Sequence, residues 1–329
     1  MAVTPQTNVS LEKIATILQD NDDFVICGHV SPDGDCIGSQ LALWHALKSI
    51  GKNAACVLVR SDPLGASLDF LPGAEEMTPA ADFAGTCKTF IGVDVPNRER
   101  IGRAACAILD TAQLSITIDH HAADERMCDF AYVDPDAAAA SMIVWEIIKL
   151  LVDGPSKECA LCAYTGLLTD TGGFRFQNSD SRAFQAASEL VAHGVDPSFV
   201  ATNVYQNRTL ASLKLEAIVI NRMDVFCDGQ VAMSWVDEGD VQNVGAERAD
   251  LEPLVDVVRS VQGIRVACMM RKQDGKARVN LRAKDDTDVS ELARELGGGG
   301  HKAAAGFTID MPMKEALAFM RGKLEDLLA

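Results

Sequence analysis

Short apolar runs alternate with helix-spaced stretches through the first half of the chain, and no other feature restricts the fold as much. FVICGH (24–29), AACVLV (54–59), TFIGV (89–93), ACAIL (105–109) and SITI (115–118) read as strands. LEKIATILQD (11–20) has helical spacing, and CIGSQLALWHALKSI (36–50) reads as an amphipathic helix stopped by Gly51. Helices are also expected over 138–152 and 156–168. Strands that are apolar throughout need cover on both faces. Strand–helix alternation then predicts an α/β fold, with a mainly parallel sheet flanked by helices in an N-terminal domain. Ligands of such sheets lie beyond the C-terminal ends of the strands.

The pattern changes further along. Residues 182–220 read as mostly helical, broken at Gly194-Val195-Asp196-Pro197, where a hinge is expected. From about 224, VFCDGQVAMSWV and IRVACMMRKQDGKARVNLRAK read as hairpins turning at Asp228-Gly229 and Asp274-Gly275. Helices are expected near 250–260 and over 288–296 and 312–328. This describes a smaller C-terminal α/β domain, and 329 residues suffice for two cores. The expected division is a catalytic domain over 1–195, a helical connector over 196–222 and a substrate domain over 223–329. The active site is expected in the cleft between the two domains.

The ends of the apolar runs carry the chemistry. His29, Asp33 and Asp35 follow the first run, Asp94 follows TFIGV, and Asp119-His120-His121 follows SITI. Asp170 closes the helix 156–168. Each alone has an ordinary structural reading, such as a turn, a cap or a buried His. Together they converge if the strands share one parallel sheet. Each pair of close carboxylates would then repel by about 4 kcal/mol at an effective dielectric near 20. Divalent cations relieve that, and mixed Asp and His ligands suit manganese, zinc or iron better than calcium. There are too many ligands for one tetrahedral ion, whereas two ions sharing a carboxylate would use them all. Gly34, Gly38 and Ser39 also open a helix whose N-terminus could receive a phosphate.

Other features narrow the partners. The formal charge is −17, with no Lys/Arg block, so long duplex nucleic acid is not expected as a ligand. No run reaches membrane-spanning length and no secretory signal is visible, which makes the cytoplasm the expected compartment. Disorder is expected only in the first residues, MAVTPQT. The ten cysteines read as small buried hydrophobes, including the single CxxC, Cys159 and Cys162.

The quoted motifs, in order, resemble those of the DHH phosphoesterase superfamily. They are His29-Val-Ser-Pro-Asp33-Gly-Asp35, Asp94, Asp119-His120-His121 and Thr169-Asp170-Thr171. Leu296-Gly-Gly-Gly-Gly300-His301-Lys-Ala-Ala-Ala-Gly306-Phe307 resembles the glycine-rich signature of the DHH-associated C-terminal domain, and Arg278–Lys284 resembles the strand before it. The resemblance spans essentially the whole chain, and its size and layout are most similar to the bacterial nanoRNase/pAp phosphatase group.

That resemblance implies two Mn2+ ions. His29, Asp33 and Asp94 would hold the first, and Asp35, Asp94, His120 and Asp170 the second, with Asp94 bridging. His121 and Asp94 would take the catalytic roles, and Asp119 would act as an outer partner. Arg282, Gly298, Gly299, Gly300 and His301 would bind substrate. Phe174 or Phe176 could stack on a base or pack in the core. The implied substrates are short oligoribonucleotides and 3′-phosphoadenosine 5′-phosphate (pAp). Cyclic dinucleotides or their linear products are an alternative, as is a nucleotide-binding regulator without catalysis. A homodimer stays open.

Overall fold

The computed structural model describes residues 6–328, apart from positions 63, 66, 124, 252 and 274; for 248, 249, 273 and 301 it describes the backbone alone. The chain divides into two units, Met1–Asn207 and Arg208–Ala329. The division falls inside the stretch expected as connector.

In the first unit, six strands make one sheet: β1 (Phe24–Cys27), β2 (Ala54–Leu58), β3 (Thr78–Pro79), β4 (Thr89–Val93), β5 (Leu114–Asp119) and β6 (Phe130–Val133). Their order is β3-β2-β1-β4-β5-β6, and every pairing is parallel. Alternate residues face opposite layers. Phe24, Ile26, Ile91 and Ile118 pack with α1 (Leu11–Asp20), α2 (Gly34–Ser49), α4 (Ala140–Leu151), α5 (Lys157–Asp170) and α6 (Ser181–Ala192). Val25, Cys27, Val57 and Phe90 pack with α3 (Arg98–Thr111) on the other side. Both faces are therefore dry, which accounts for the unbroken apolar strands.

The structure corrects the sequence reading in three places. ACAIL (105–109) is not a strand; it lies in α3, whose buried residues are Ile101, Ala105 and Leu109. Ala105 and Leu109 keep the four-residue spacing of a helix, while Gly102, with a φ of 70°, kinks the chain just after Ile101. The strands β3 and β6 were not anticipated. The third correction concerns α2, which begins at Gly34 and is not amphipathic: residues 34–43 are all buried. It is enclosed because two glycines let it approach α5. A β-carbon on Gly38 would lie 2.4 Å from the Cys162 carbonyl oxygen, and one on Gly34 would lie 2.4 Å from Thr169 Oγ1. Cys159 and Cys162 are buried free thiols on α5, which agrees with a packing role.

The first unit ends with α7 (Pro197–Ala201) and a π-helical turn over Thr202–Gln206. The second unit opens with α8 (Leu210–Asn221) and holds β7 (Asp224–Phe226), β8 (Val231–Val236), β9 (Val266–Gln273), β10 (Lys276–Ala283), β11 (Gly299–His301) and β12 (Ala304–Ile309). These pair in the order β11-β12-β10-β9-β8-β7. Among the described residues of this sheet, β8 and β9 alone pair in parallel, joined by a crossover through α9 (Glu238–Val244) and α10 (Leu254–Arg259). Both expected hairpins form, β7–β8 and β9–β10. Asp228 and Gly229 turn the first with φ of 53° and 81°, whereas Asp274 lies outside the described residues, as do positions 1–5. One face packs Val279, Leu281 and Phe307 on α11 (Val289–Glu295) and α12 (Met313–Leu328). The other packs Ala232, Val236, Ala267 and Met269 on α8 and α10. Among the described residues, no helix is long and apolar enough to cross a membrane.

Candidate metal centre

Strand register brings the first residues of the site together. Cys27 pairs with Gly92, and Gly92 with Thr117. His29, Asp94 and Asp119 each lie two residues beyond that row, at the C-terminal edge of the sheet. Asp94 leaves β4 with a φ of 54°, a left-handed conformation that Asp tolerates better than most residues.

The Asp94 carboxylate sits between imidazoles. Its Oδ2 is 3.4 Å from His29 Nε2, and its Oδ1 is 3.4 Å from both His120 Nε2 and His121 Nδ1. Asp94, His29 and His120 are 2, 6 and 9% exposed, so bulk water does not solvate this cluster. Asp35, in the first turn of α2, is held from across the unit: Oδ2 accepts from the Ala140 N–H at 2.6 Å and Oδ1 from the Ser141 N–H at 2.9 Å. These are the first N–H groups of α4, whose positive end favours a carboxylate. Asp170, the last residue of α5, has Oδ2 3.9 Å from His120 Nε2, as does Asp35. Asp33 caps α2, its Oδ1 accepting from the N–H groups of Asp35 and Cys36, and lies 3.9 Å from His29 Nε2. That cap takes up the N–H groups of Asp35 and Cys36 at the helix N-terminus.

Asp119 stands behind the cluster. Its Oδ1 accepts from the backbone of His120 and His121, at 2.7 and 3.1 Å, and from His121 Nδ1 at 2.8 Å.

Among the described residues, ligand atoms gather into three sets, each within 4.8 Å: His29, Cys36 and Asp94; Asp94, His120 and His121; Asp35, His120 and Asp170. Asp94 and His120 each serve two sets. Asp94 Oδ1 and His29 Nδ1 are buried without a hydrogen bond, a costly state that a cation or ordered water would relieve. The residues therefore fit divalent cations of the manganese, iron and zinc type.

Protonation tells the same story. Burial, with Asp94 adding to it, pushes Asp35 up to about 6. Burial also pushes Asp170 well above the usual carboxylate range. Burial opposes charge on Asp94 as well, but the imidazoles of His120 and His29 outweigh it and hold that carboxyl well below its ordinary value. Burial works against charged His29 and His120, yet Asp94 and the neighbouring carboxylates raise both. Without cations, protons supply the positive charge that four clustered carboxylates demand.

Residues 23–167 match the model of the DHH family, N-terminal domain, and residues 228–329 match the DHHA1 domain. The bifunctional oligoribonuclease and PAP phosphatase NrnA of Thermus thermophilus is 33% identical over 86% of this chain and 83% of its own length. The chain belongs to the DHH family. It is a hydrolytic enzyme of the DHH phosphoesterase type. The cyclic-di-AMP phosphodiesterase GdpP of Geobacillus thermodenitrificans is 25% identical over 94% of this chain, which spans 48% of GdpP. An exopolyphosphatase-related protein from Bacteroides fragilis superposes with a TM-score of 0.88 at 26% identity, covering 98% of each chain.

In the DHHA1 unit, Arg282 lies on β10, with Nη1 donating to the Leu281 carbonyl at 3.0 Å. Register aligns Arg282 with Ala304, and Ala304 with His301. The His301 side chain lies outside what the structure describes. Gly299 and Gly300 belong to the edge strand β11, and Gly298 precedes it. A β-carbon on Gly298 would lie 2.3 Å from the Gly306 carbonyl oxygen, so pairing with β12 demands glycine there. Asn280 and Arg278 alternate with Arg282 on the face away from the Val279 and Leu281 core.

Phe174 stacks on Phe184, with centroids 5.1 Å apart, and a β-carbon on Gly172 would lie 2.3 Å from the Phe176 ring. Both rings pack on the protein itself. Cys36, whose sulfur falls within one of the three sets, is a buried thiol of α2 beside the Gln40 amide.

Proposed function

We propose that this DHH-family protein is a cytoplasmic enzyme that hydrolyses very short oligoribonucleotides to mononucleotides, and pAp to AMP and phosphate, using two divalent cations, with manganese foremost. The observation that carries this reading is the position of Asp94, between His29 and His120 and common to two ligand sets. The similarity to NrnA supports the substrate class.

His29, Asp33 and Asp94 would hold one ion, and Asp35, Asp94, His120 and Asp170 the other. When bound, the ions would offset the charge of the phosphate and acidify a water for in-line attack. The chain's own groups do the positioning. The α4 N–H groups fix the Asp35 carboxylate. Asp119 accepts from His121 Nδ1, which orients the ring and leaves Nε2 as the atom to meet a phosphate oxygen. In the DHHA1 unit, Arg282 and His301 would donate to a second phosphate, with the backbone of Gly298, Gly299 and Gly300 approaching it closely. A net charge of −17 suits a short substrate gripped by such local contacts.

The test is a panel assay of metal-stripped protein with dinucleotides, pAp and cyclic dinucleotides, each with manganese, magnesium or zinc. Cleavage of neither dinucleotides nor pAp with any ion would overturn the proposal. A second reading, phosphodiesterase action on cyclic dinucleotides, draws on the similarity to GdpP over 94% of this chain. A higher kcat/KM for the cyclic compounds than for linear dinucleotides would favour it.

A further inference from the structure

We infer that the guanidinium of Arg175, backed by the ring of Tyr205, is the platform on which one base of the substrate stacks beside the metal centre. The inference rests on the oligoribonucleotide reading above and deepens it, because it names what the first unit grips in a nucleotide besides phosphate.

Both residues belong to the first unit, and both are tied to the end of α5. Arg175 Nε donates to the Gly172 carbonyl at 2.5 Å, and its guanidinium lies 5.8 Å from the centre of the Tyr205 ring. The Tyr205 hydroxyl donates to the Leu168 carbonyl at 3.1 Å, in the last turn of that helix. The same turn carries Asp170, whose side chain is 30% exposed, against 1 and 2% for Asp35 and Asp94. Asp170 thus lies at the mouth of the centre, and the Arg175–Tyr205 pair stands next to it along the chain.

The backbone between them is strained in a way that serves this placement. Gly172, Gly173 and Phe174 follow one another at φ of 57°, 69° and 60°. Glycine takes the left-handed region freely, but a bulky residue such as Phe does not. Such strain persists where neighbours enforce it, and it gathers at binding sites. Here Thr171 enforces it: its Oγ1 accepts from the Phe174 N–H at 3.2 Å, and its carbonyl accepts from the N–H groups of Arg175 and Phe176 at 3.0 Å. Phe174 and Phe176 turn inward to pack, while Arg175 between them stays exposed.

Among the described residues no carboxylate pairs with Arg175, in a chain of net charge −17. An exposed guanidinium backed by an aromatic ring offers a base a flat, cationic face. Stacking of this kind accepts any base, since each has a π-face.

Steady-state kinetics with a dinucleotide and manganese provide the test. Arg175→Ala should raise KM by about tenfold and leave kcat in place, as for a contact made equally in the ground and transition states. Arg175→Lys keeps the charge but not the plane, and should raise KM as much. Kd for a non-hydrolysable methylenephosphonate dinucleotide, measured by calorimetry, should follow KM. Two dinucleotides that each lack one base identify the stacked partner. Wild type should bind one of them about tenfold more weakly, and Arg175→Ala should weaken that one no further. Full rescue by Lys would make Arg175 a phosphate contact and overturn the stacking role. An unaltered KM in Arg175→Ala, or undiminished wild-type affinity for both abasic compounds, would overturn it too. The abasic comparison needs no variant, so a misfolded one leaves the outcome decidable. Wild-type protein that cleaves no dinucleotide would overturn the oligoribonucleotide reading itself, and this inference with it.

Discussion

Asp119 Oδ1 accepts from His121 Nδ1 at 2.8 Å while also holding the backbone N–H groups of His120 and His121. One oxygen thus fixes both the path of the chain and the attitude of the ring. Asp119→Asn should lower kcat by about 10–100-fold, the usual loss when an orienting partner is removed. Metal content per chain, measured by plasma emission, should stay unchanged. An unaltered kcat would remove His121 from the proposed role.

Asp94 is the common member of two ligand sets, and its φ of 54° narrows the choice of substitution. Asn accepts that conformation and Ala resists it. Asp94→Asn should therefore stay folded by circular dichroism. It should also lose at least about 100-fold in manganese affinity and in kcat/KM. Full hydrolysis by this variant would mean that the centre lies elsewhere.

Gly38 sets the spacing of α2 and α5. A β-carbon 2.4 Å from a backbone carbonyl cannot be absorbed by a side-chain shift. Gly38→Ala should cost about 1–3 kcal/mol. Calorimetry should show Tm falling by about 2–4 °C per kcal/mol. A Tm equal to wild type would show that the two helices can separate freely.

The metal-free protein should lose stability as pH rises from 5 to 8. Asp35 is pushed up to about 6, mainly by burial and then by Asp94. Asp170, His29 and His120 are raised as well. In this window the folded state binds more protons than the unfolded one. The contribution is present at the low end and lost as pH rises through the raised values. Asp94, with its lowered value, acts only below about pH 4. Manganese binds the deprotonated ligands, so the Tm gain from saturating metal should grow across the same range. Melts with EDTA and with manganese at each pH will show this; a gain independent of pH would contradict it.

What the sequence made legible was whatever punctuates the sheet. His29, Asp94 and His120 stand out because each follows an apolar strand, and parallel pairing leaves them at one edge. The run ACAIL misled because five apolar residues have no resolvable period; the helix shows only in the burial of Ala105 and Leu109, one turn apart. The bonds from Asp35 to Ala140 and Ser141 could not be read, since they join positions 105 and 106 residues apart.

The three ligand sets also have an order in time. The set of His29, Cys36 and Asp94 is complete once Asp94 has been synthesised; the set with His121 follows, and the set with Asp170 comes last. A ribosome adds about 5–20 residues each second. The residues of the last set, Asp35, His120 and Asp170, are therefore all present only several seconds after those of the first, so the site cannot assemble before α5 has left the ribosome.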